Sequence, residues 1–322
     1  MNSITLPCNI LVPNIDNLSY TQWLQVRSTG IGGSDVAAAT SLSPWKSAHE
    51  LWEEKALGKT QPKQGNDSLV FGRLLEPIVV SEFVRRTGLT VHPLRSMLQH
   101  PVHSWMLANL DGIVEDPARG LGVFEAKTTA FRDPSWNQGA PDHYLLQLQH
   151  YMAVSGLDYA VICVLIAGSQ IHWTTVERDE ELIAGIIELE RRFWEYVKTK
   201  TPPPVDASNT CSEYLARRFP ASTNNTPLIL PSKADDWVQE YLAASAEETA
   251  AAERKRLCEN RLKEAIGEHE RATTPGGYPV SWKSVGSTRL DGKKLKADLP
   301  DVYAKYTTES SSRRFSIGSP GK

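Results

Sequence analysis

The order of helix-like and strand-like segments between residues 69 and 200 constrains the fold more than any other feature of this sequence. A helical segment, LVFGRLLEPIVVSEFVRRTG, is followed by the strand-like segments WMLANLDGIVED and GLGVFEAKTT, which meet at the turn EDPARG. A second helix, PDHYLLQLQHYMAVSG, precedes two more strand-like segments, YAVICVLIAG and IHWTTVER, and a strongly amphipathic third helix. Helices interleaved with strand pairs in this order predict an α/β fold with a mixed central β-sheet flanked by helices.

Two parts of this pattern predict local features of the fold. Pro77 lies inside the first helix, where its missing amide hydrogen predicts a kink or the start of a second helical piece. VHPLRSMLQ and WMLANLDGIVED are each typical of a single strand, and the second of these would carry Asp111 near its middle.

The proline-rich stretch TPPPVDASNT interrupts the pattern and marks a domain boundary. We therefore expect an α/β domain at residues 1–200, a linker at 201–227 and a C-terminal extension at 228–322. Residues 228–270 are rich in Ala, Glu, Lys and Arg, which predicts a long helix or a helical hairpin, followed by a basic tail of short strands around a small helix. The apolar and small residues near heptad spacing are Trp237, Tyr241, Ala244, Ala251, Leu262 and Ile266.

Charge is distributed unevenly along the chain. The net charge is −3, but residues 271–322 contain ten Lys or Arg and four Asp or Glu, a balance of +6 that leaves −9 for residues 1–270. A basic tail on an acidic body indicates either a nucleic-acid contact or merely a solvated surface. The tail residues predicted to contact DNA or a partner protein are Trp282, Lys283, Arg313 and Arg314, although Trp282 is equally suited to packing a small core.

The expected compartment follows from what the sequence lacks. The longest apolar run, YAVICVLIAG, is far too short to span a bilayer, and the first residues lack the basic stretch and cleavage site of a secretory signal. The four cysteines are scattered and form no CxxC pair, which favours neither a zinc site nor a disulfide framework. We expect a soluble cytoplasmic protein.

One strand carries two charged side chains on an otherwise apolar segment. Glu125 and Lys127 are two residues apart in GLGVFEAKTT, so they emerge from the same face of the strand. Asp111 on the preceding strand can lie near Glu125 if the two strands pair through EDPARG. Two half-buried carboxylates repel each other unless one takes up a proton or a cation lies between them. Because Mg²⁺ prefers oxygen ligands, the pattern predicts a magnesium site in which Lys127 orients or deprotonates a water that attacks a phosphodiester.

An exposed cross-strand ion pair is the simplest alternative reading of Glu125 and Lys127. Two other triplets, at residues 53–55 and 253–255, also place a glutamate two residues before a lysine. They are not candidates for such a site, because they lie on predicted helices, where residues two apart do not share a face. Glu76, in the helix before the hairpin, could add a third carboxylate. The alternative, a solvated helix glutamate, is weakened by its apolar neighbours.

Two polar patterns complete the candidate site. Tyr144, Gln147 and Tyr151 are spaced i, i+3 and i+7 in the second helix, where Gln147 could bind the attacking water or a phosphate, although such stripes usually mark the edge of a core. Arg27 and the turn GIGGS place a guanidinium near a helix N-terminus, which makes a suitable anion pocket. The turn is not a dinucleotide fingerprint, because no strand precedes it and Asp35 occupies the position of the last glycine.

Together these motifs resemble the phage lambda exonuclease-type alkaline exonucleases, also called YqaJ-type viral recombinases, of the PD-(D/E)xK nuclease superfamily. The most diagnostic stretch is RSTGIGGSDVAAATSLSPWKSAHELWEEK, and FGRLLEP, LDGIVED, FEAKTT and YLLQLQHYMAVSG follow in the family's order. The resemblance covers roughly residues 20–200. It implies a restriction-endonuclease-like core, so that residues 1–200 form a PD-(D/E)xK nuclease domain, with a C-terminal helical and small β extension after it.

The resemblance also implies roles for individual residues. The implied catalytic group consists of Asp111, Glu125, Lys127, Glu76, Gln147 and Tyr144. The implied ligands of Mg²⁺, for which Mn²⁺ can substitute, are Asp111, Glu125, the backbone carbonyl of Ala126 and, through water, Glu76. The residues implied to bind the 5′-phosphate and nearby DNA are Arg27, Ser34, Arg132, Asn109 and Trp23. This sequence departs from the family's pattern at Leu110, which replaces the motif's proline, and at Asn109, where a phosphate-contacting serine can occur.

The family digests linear duplex DNA in the 5′→3′ direction, releases mononucleotides and leaves 3′ single-stranded tails. Its better-known members are ring-shaped homotrimers that act with a single-strand annealing protein in phage recombination. The resemblance implies the same activity and partners here, for a phage or prophage protein in a bacterial host. Two alternatives remain: another nuclease of the superfamily, either an endonuclease or a single-strand-specific exonuclease, and a non-catalytic DNA-binding or assembly protein.

Overall fold

The structure is a computed structural model that describes residues 4–59, 67–131, 134–137, 139–224, 226–308 and 312–318. The chain divides into two compact units, Met1–Arg218 and Phe219–Lys322. Within the described ranges, none of the helices combines the length and the hydropathy that a membrane-spanning helix needs.

A five-stranded mixed sheet lies at the centre of the first unit. Its strands, in spatial order, are β3 (Thr90–His92), β6 (Gly112–Asp116), β7 (Gly120–Thr129), β8 (Tyr159–Ile166) and β9 (Gln170–Glu177). β7 and β8 are parallel, and the other neighbouring pairs are antiparallel. β8 is buried along almost its whole length, as expected of a strand covered on both faces. The predicted α/β fold class with a mixed central sheet flanked by helices is confirmed.

The β6–β7 hairpin forms as predicted through the turn EDPARG. Gly112 lies opposite Phe124 in the antiparallel register. This register brings Asp111, one residue before β6, beside Glu125 in β7. The next strand, β8, runs parallel to β7 because α5 (Asp142–Ser155) connects the two strands.

The segment WMLANLDGIVED forms two strands in different sheets, so the prediction of a single strand is wrong. Its first part, β5 (Met106–Ala108), belongs to a four-stranded sheet, whereas its second part is β6. The order of the four-stranded sheet is β1 (Asn9–Val12), β4 (Met97–Gln99), β5 and β2 (Ile31–Gly32). VHPLRSMLQ divides in the same way between β3 and β4. Gly112, at the start of β6, permits the close approach of the β3 backbone, because a Cβ there would lie 3.0 Å from the backbone oxygen of His92.

One face of the central sheet is covered by α4 (Asp67–Thr87). The helix buries Val79 and Phe83, and the ring of Phe83 lies 5.0 Å from that of Phe124 in β7, measured between centroids. α4 continues as one element through Pro77, so the alternative of a second helical piece does not occur. Packing of the apolar face against the sheet offsets the cost of about 3 kcal/mol that an interior proline imposes.

The opposite face of the sheet is covered by α5 and α6 (Glu180–Thr199), which pack against each other. α5 is buried throughout residues 146–155. α6 buries one stripe only, as its amphipathic sequence predicts. Three α-helices precede α4 in the described part of the chain, and the second and third pack against α6. They are α1 (Tyr20–Arg27), α2 (Gly33–Ala39) and α3 (Ala48–Leu57).

The span predicted to be a linker, residues 201–227, contains α7 (Asn209–Arg218). This helix packs against α3, and Oη of Tyr214 donates a hydrogen bond of 3.2 Å to Oε1 of Glu53. Residues up to Arg218 therefore belong to the first unit.

The second unit is built on α8 (Lys233–Ile266), a single helix of 34 residues rather than a helical hairpin. A two-stranded sheet of β10 (Arg271–Thr273) and β11 (Pro279–Ser281) follows, and then α9 (Gly292–Asp298) and α10 (Pro300–Tyr306). The predicted C-terminal helical and small β extension is confirmed.

Trp282, directly after β11, packs on α8. Nζ of Lys263 lies 5.8 Å from its ring centroid, although the tryptophan is 49 % exposed. Lys283, Arg313 and Arg314 are exposed. Their contact with DNA or a partner protein stays a prediction.

Candidate active site

Asp111, Glu125 and Lys127 meet where β6 and β7 pair. The backbone amide of Ala126 donates a hydrogen bond of 2.9 Å to Oδ2 of Asp111, which fixes this carboxylate against β7. Nζ of Lys127 lies 2.6 Å from Oε1 of Glu125, as the alternation of side chains along a strand requires. Glu125 is only 3 % exposed. The pair is therefore not the exposed cross-strand ion pair that the sequence left open.

The electrostatics of this group are dominated by burial. The pKa of the Glu125 carboxyl is raised to about 8, first by burial and then by the Asp111 carboxylate, against the opposing charge of Lys127. Burial likewise raises the pKa of Asp111. Burial alone would lower the pKa of Lys127, but the attraction of Glu125 and Asp111 outweighs it, and the net shift is upward. Two buried carboxyl groups in contact make a place that favours positive charge.

The donor atoms of this group fit a divalent cation. Oε2 of Glu125 is buried, and among the described residues it has no hydrogen-bond partner, which is unfavourable unless another group satisfies it. No set of three or more His, Cys, Asp or Glu side chains is gathered as a metal site in the described part of the chain. Glu76 lies close enough to Asp111 for burial and the charge of Asp111 to raise its pKa, without joining such a set. The residues therefore fit Mg²⁺ held directly by two carboxylates, with other oxygen ligands, such as water or a backbone carbonyl, in the remaining positions.

α5 brings Tyr144 and Gln147 to the carboxylate pair. Nε2 of Gln147 donates to Oε1 of Glu125 at 2.6 Å and to Oη of Tyr151 at 3.0 Å. The ring centroid of Tyr144 lies 5.0 Å from Nζ of Lys127. The polar stripe on this helix thus faces the carboxylate pair and is not only the edge of a core.

A second group of predicted residues lines a small cavity of about 40 Å³. The lining includes Trp23, Arg27, Ser34, Asn109 and Tyr151. The guanidinium of Arg27 donates to Oγ of Ser34, and its Cζ lies 5.1 Å from the ring centroid of Trp23. Because Tyr151 accepts the hydrogen bond described above, it connects the cavity to the carboxylate pair. Arg132, the fifth residue predicted to bind phosphate or DNA, lies outside the described residues.

Asp35 and Lys55 support the wall of this cavity, although neither is among the site residues predicted from the sequence. Oδ1 of Asp35 lies 2.9 Å from Arg27, and Oδ2 lies 2.9 Å from Nζ of Lys55, which also donates to the backbone carbonyl of Arg27 at 2.8 Å. Burial raises the pKa of Asp35, but Arg27 and Lys55 outweigh it and hold the pKa well below its usual range. Two cations on one carboxylate leave an excess of one positive charge.

A sequence signal for Lys55 was present. The lysine follows Leu51 by four residues and therefore lies on the buried face of α3, where a lysine needs an anionic partner. No local pattern identifies that partner, because Asp35 is 20 residues away in the chain.

Comparisons with known proteins identify similar sequences and folds. The profile of the YqaJ-like viral recombinase domain matches residues 22–158. The uncharacterized protein YqaJ of Bacillus subtilis (strain 168) is 35 % identical over 305 residues, which cover 93 % of this chain and 94 % of that protein.

Two solved structures resemble parts of the chain. The crystal structure of an alkaline exonuclease from Laribacter hongkongensis has a TM-score of 0.47 and 24 % identity, and the match covers 62 % of this chain and 97 % of that one. That of a phage-related exonuclease from Haemophilus somnus 129PT has a TM-score of 0.42 and 14 % identity, with coverage of 55 % and 99 %.

Proposed function

Because the chain belongs to the family of YqaJ-like viral recombinases, we propose that it is a metal-dependent exonuclease that hydrolyses linear double-stranded DNA from its 5′ ends. The observation that carries the proposal is the buried pair of Asp111 and Glu125 with Lys127 in contact with it. Such a group suits the hydrolysis of a phosphodiester, because the substrate is anionic and water is a weak nucleophile.

In this proposal Asp111 and Glu125 hold Mg²⁺ directly, together with the backbone carbonyl of Ala126 and, through water, Glu76. Mn²⁺ substitutes for it. Support comes from the buried Oε2 of Glu125, which meets no hydrogen-bond donor among the described residues, and from the mutual repulsion of the two carboxylates, which a cation relieves. When bound, the ion supplies Lewis acidity toward the scissile phosphate.

Lys127, as an ammonium, orients the attacking water and stabilises the negative charge that develops as the water attacks. Its side chain is 21 % exposed while its Nζ contacts Glu125, so the ammonium can reach both the carboxylates and a substrate. Gln147 keeps Glu125 in place through its 2.6 Å hydrogen bond. Tyr144 lies over Nζ of Lys127 and favours its charged form.

The 5′ polarity is proposed from the cavity around Arg27. Arg27 and Ser34 bind the terminal 5′-phosphate, with Trp23, Asn109 and Arg132 near the end of the DNA. The excess positive charge left by Asp35 and its two cations supports an anionic occupant.

Digestion of a labelled linear duplex tests the activity. With Mg²⁺ present, we expect labelled mononucleotides to be released first from the 5′ end, and no release in EDTA. Equal digestion in EDTA would reject the metal, and earlier release from the 3′ end would reject the polarity.

A second comparison tests the phosphate pocket. Wild type should prefer 5′-phosphorylated over 5′-hydroxyl duplexes, and Arg27→Ala should lose this preference because the terminal phosphate no longer meets a guanidinium. An Arg27→Ala protein with an unchanged preference contradicts the assignment.

Two other activities remain as outcomes of these experiments. Cleavage of covalently closed circles would favour an endonuclease, and digestion of single strands alone would favour a single-strand-specific exonuclease. Binding of duplex DNA without any turnover would favour a non-catalytic DNA-binding or assembly protein.

The proposal extends to products and partners. The enzyme releases 5′-mononucleotides and leaves 3′ single-stranded overhangs, which a single-strand annealing protein of the phage or prophage uses for recombination in the host cytoplasm. The nuclease units assemble as a homotrimeric ring that encloses the duplex. The support for both statements is the resemblance to lambda exonuclease-type enzymes, and light scattering together with pull-down of the annealing protein tests them.

A further inference from the structure

A regular stripe of exposed side chains runs along α8. Beginning at Trp237, the spacing between successive residues of the stripe is four and three positions in turn. This spacing places them on one face of the helix. They are Trp237, Tyr241, Ala244, Glu248, Ala251, Lys255, Cys258, Leu262 and Ala265. All of them are exposed, including large apolar side chains: Trp237 is 56 % exposed, Tyr241 48 % and Leu262 43 %.

α8 receives little packing within its own unit. Only Ala234 and Ile266, at its two ends, are buried. Phe315 contacts Tyr241 edge-on, with 5.8 Å between ring centroids, but leaves the tyrosine half exposed. A helix of 34 residues is about 51 Å long, and helices in proteins gain most of their stability from packing of one face. The stripe is therefore a surface suited to a partner helix.

The charges that flank the stripe have mirror symmetry. A charged residue directly precedes every second residue of the stripe from Tyr241 onward. These charged residues are Glu240, Glu247, Arg254 and Arg261. The acidic pair lies in the first half of the helix and the basic pair in the second, and the four positions are symmetric about the midpoint between residues 250 and 251. The halves as a whole follow the same trend: residues 233–249 carry five acidic and one basic residue, −4, and residues 250–266 carry five basic and three acidic, +2.

We propose that α8 forms an antiparallel coiled coil with α8 of a second copy of this chain. When Glu240 faces Arg261 of the second copy, Glu247 faces Arg254, and the two-fold symmetry repeats both pairs. A parallel pair would instead place halves of like charge side by side.

The packing of the stripe residues favours the same antiparallel register, and this argument does not use the flanking charges. With Glu240 opposite Arg261, Trp237 lies opposite Leu262 of the second copy and Tyr241 opposite Cys258. The bulky layers are thus at the two ends. The middle of the stripe contains Ala244 and Ala251, whose small side chains allow close approach of the helices.

The two charged residues within the stripe also find partners in this register. Glu248 and Lys255 of the second copy fall in neighbouring layers, so the charges at core positions compensate each other. A charged pair of this kind fixes the register of a coiled coil. The pairing goes beyond the proposed nuclease activity and does not depend on it.

Charge reversal in the full-length chain tests the proposal. Glu240→Arg with Glu247→Arg makes all four flanking positions basic, and the molar mass from light scattering should fall to half of the wild-type value. The fall is from dimer to monomer or, with the proposed homotrimer of nuclease units, from hexamer to trimer. The quadruple variant that adds Arg254→Glu and Arg261→Glu restores complementarity and should restore the mass.

A matched control reverses Glu253 and Glu264, which lie on α8 away from the stripe, and should leave the mass unchanged. Circular dichroism verifies that every variant is folded. A wild-type chain that shows no twofold assembly, or an unchanged mass in the Glu240→Arg, Glu247→Arg variant, overturns the proposal. In the second case the stripe would have to bind a different protein.

Disulfide trapping tests the direction of the pair. In a Cys8→Ser background, Tyr241→Cys should crosslink with Cys258 of the second copy on oxidation with copper phenanthroline, whereas Leu242→Cys, one residue off the stripe, should not. Cys258 alone should not crosslink, because in this register the two Cys258 side chains are 17 residues apart along the coil, about 25 Å, beyond disulfide reach. Crosslinking through Cys258 alone indicates a parallel pair and overturns the proposal.

Discussion

Asp35 shows, at the scale of the residue, how one buried carboxylate positions the cations of a binding pocket. It contacts Arg27 and Lys55 at 2.9 Å each while being 3 % exposed. Asp35→Asn leaves both cations without their buried counter-charge, so we expect the free energy of unfolding to fall by about 3 kcal/mol in urea denaturation. Arg191→Ala is the control, because the Arg191–Glu188 pair on α6 is exposed and should cost less than about 1 kcal/mol. Equal losses in both variants would contradict the account.

Asp111 and Glu125 lead to a prediction about metal binding that does not depend on catalysis. A cation that relieves their repulsion binds the folded state only, so Mg²⁺ should raise the Tm of wild type above its value in EDTA. Asp111→Asn should abolish this rise. Glu115→Gln, which removes an exposed carboxylate of β6 outside the site, should retain it. A full Mg²⁺ response in Asp111→Asn would show that the ion binds elsewhere.

At the scale of the element, the contact between α2 and α5 depends on a glycine. A Cβ at Gly33 would lie 2.3 Å from the ring of Tyr151, so Gly33→Ala must displace α2 or the tyrosine. We expect a loss of about 1–3 kcal/mol in unfolding free energy. Gly185→Ala in α6 meets no atom within 4 Å and should stabilise the protein by up to about 1 kcal/mol. Similar effects of the two substitutions would contradict the packing described for α2.

His150 joins three elements and makes their packing depend on pH. In α5, its Nδ1 lies 2.7 Å from Oε1 of Glu190 in α6, and its Nε2 lies 2.9 Å from the backbone oxygen of Leu107 in β5. Both partners are acceptors, so the doubly protonated ring satisfies both. Burial lowers the pKa of His150, but the charge of Glu190 outweighs it and the net shift is upward.

The sign of the pH effect follows from that upward shift. The stabilisation by His150 is fully present below its unfolded-state pKa of about 6.5 and is lost as pH rises through the folded-state pKa. The Tm difference between wild type and His150→Gln should therefore be largest near pH 6 and shrink toward pH 9. A difference that grows over this range would contradict the ion pair.

For the molecule as a whole, the sequence correctly predicted those features of the structure that local patterns determine. The order of helices and strands predicted the α/β class, and period-two alternation predicted that Glu125 and Lys127 share a face. Contacts between distant segments were not predictable in this way. The division of residues 105–116 between two sheets depends on which strands they meet, and the Asp35–Lys55 pair depends on the packing of α2 against α3.

Lys127, in contact with the buried pair of carboxyl groups, is the residue on which the proposed hydrolysis of a phosphodiester depends most. The most direct measurement is the single-turnover rate of Lys127→Ala on a 5′-phosphorylated linear duplex with Mg²⁺, together with its affinity for that duplex. We expect the rate to fall by about 10²-fold or more while the affinity stays within about twofold. Lys198→Ala, an exposed lysine of α6, should keep the wild-type rate. A wild-type rate in Lys127→Ala would contradict the claim.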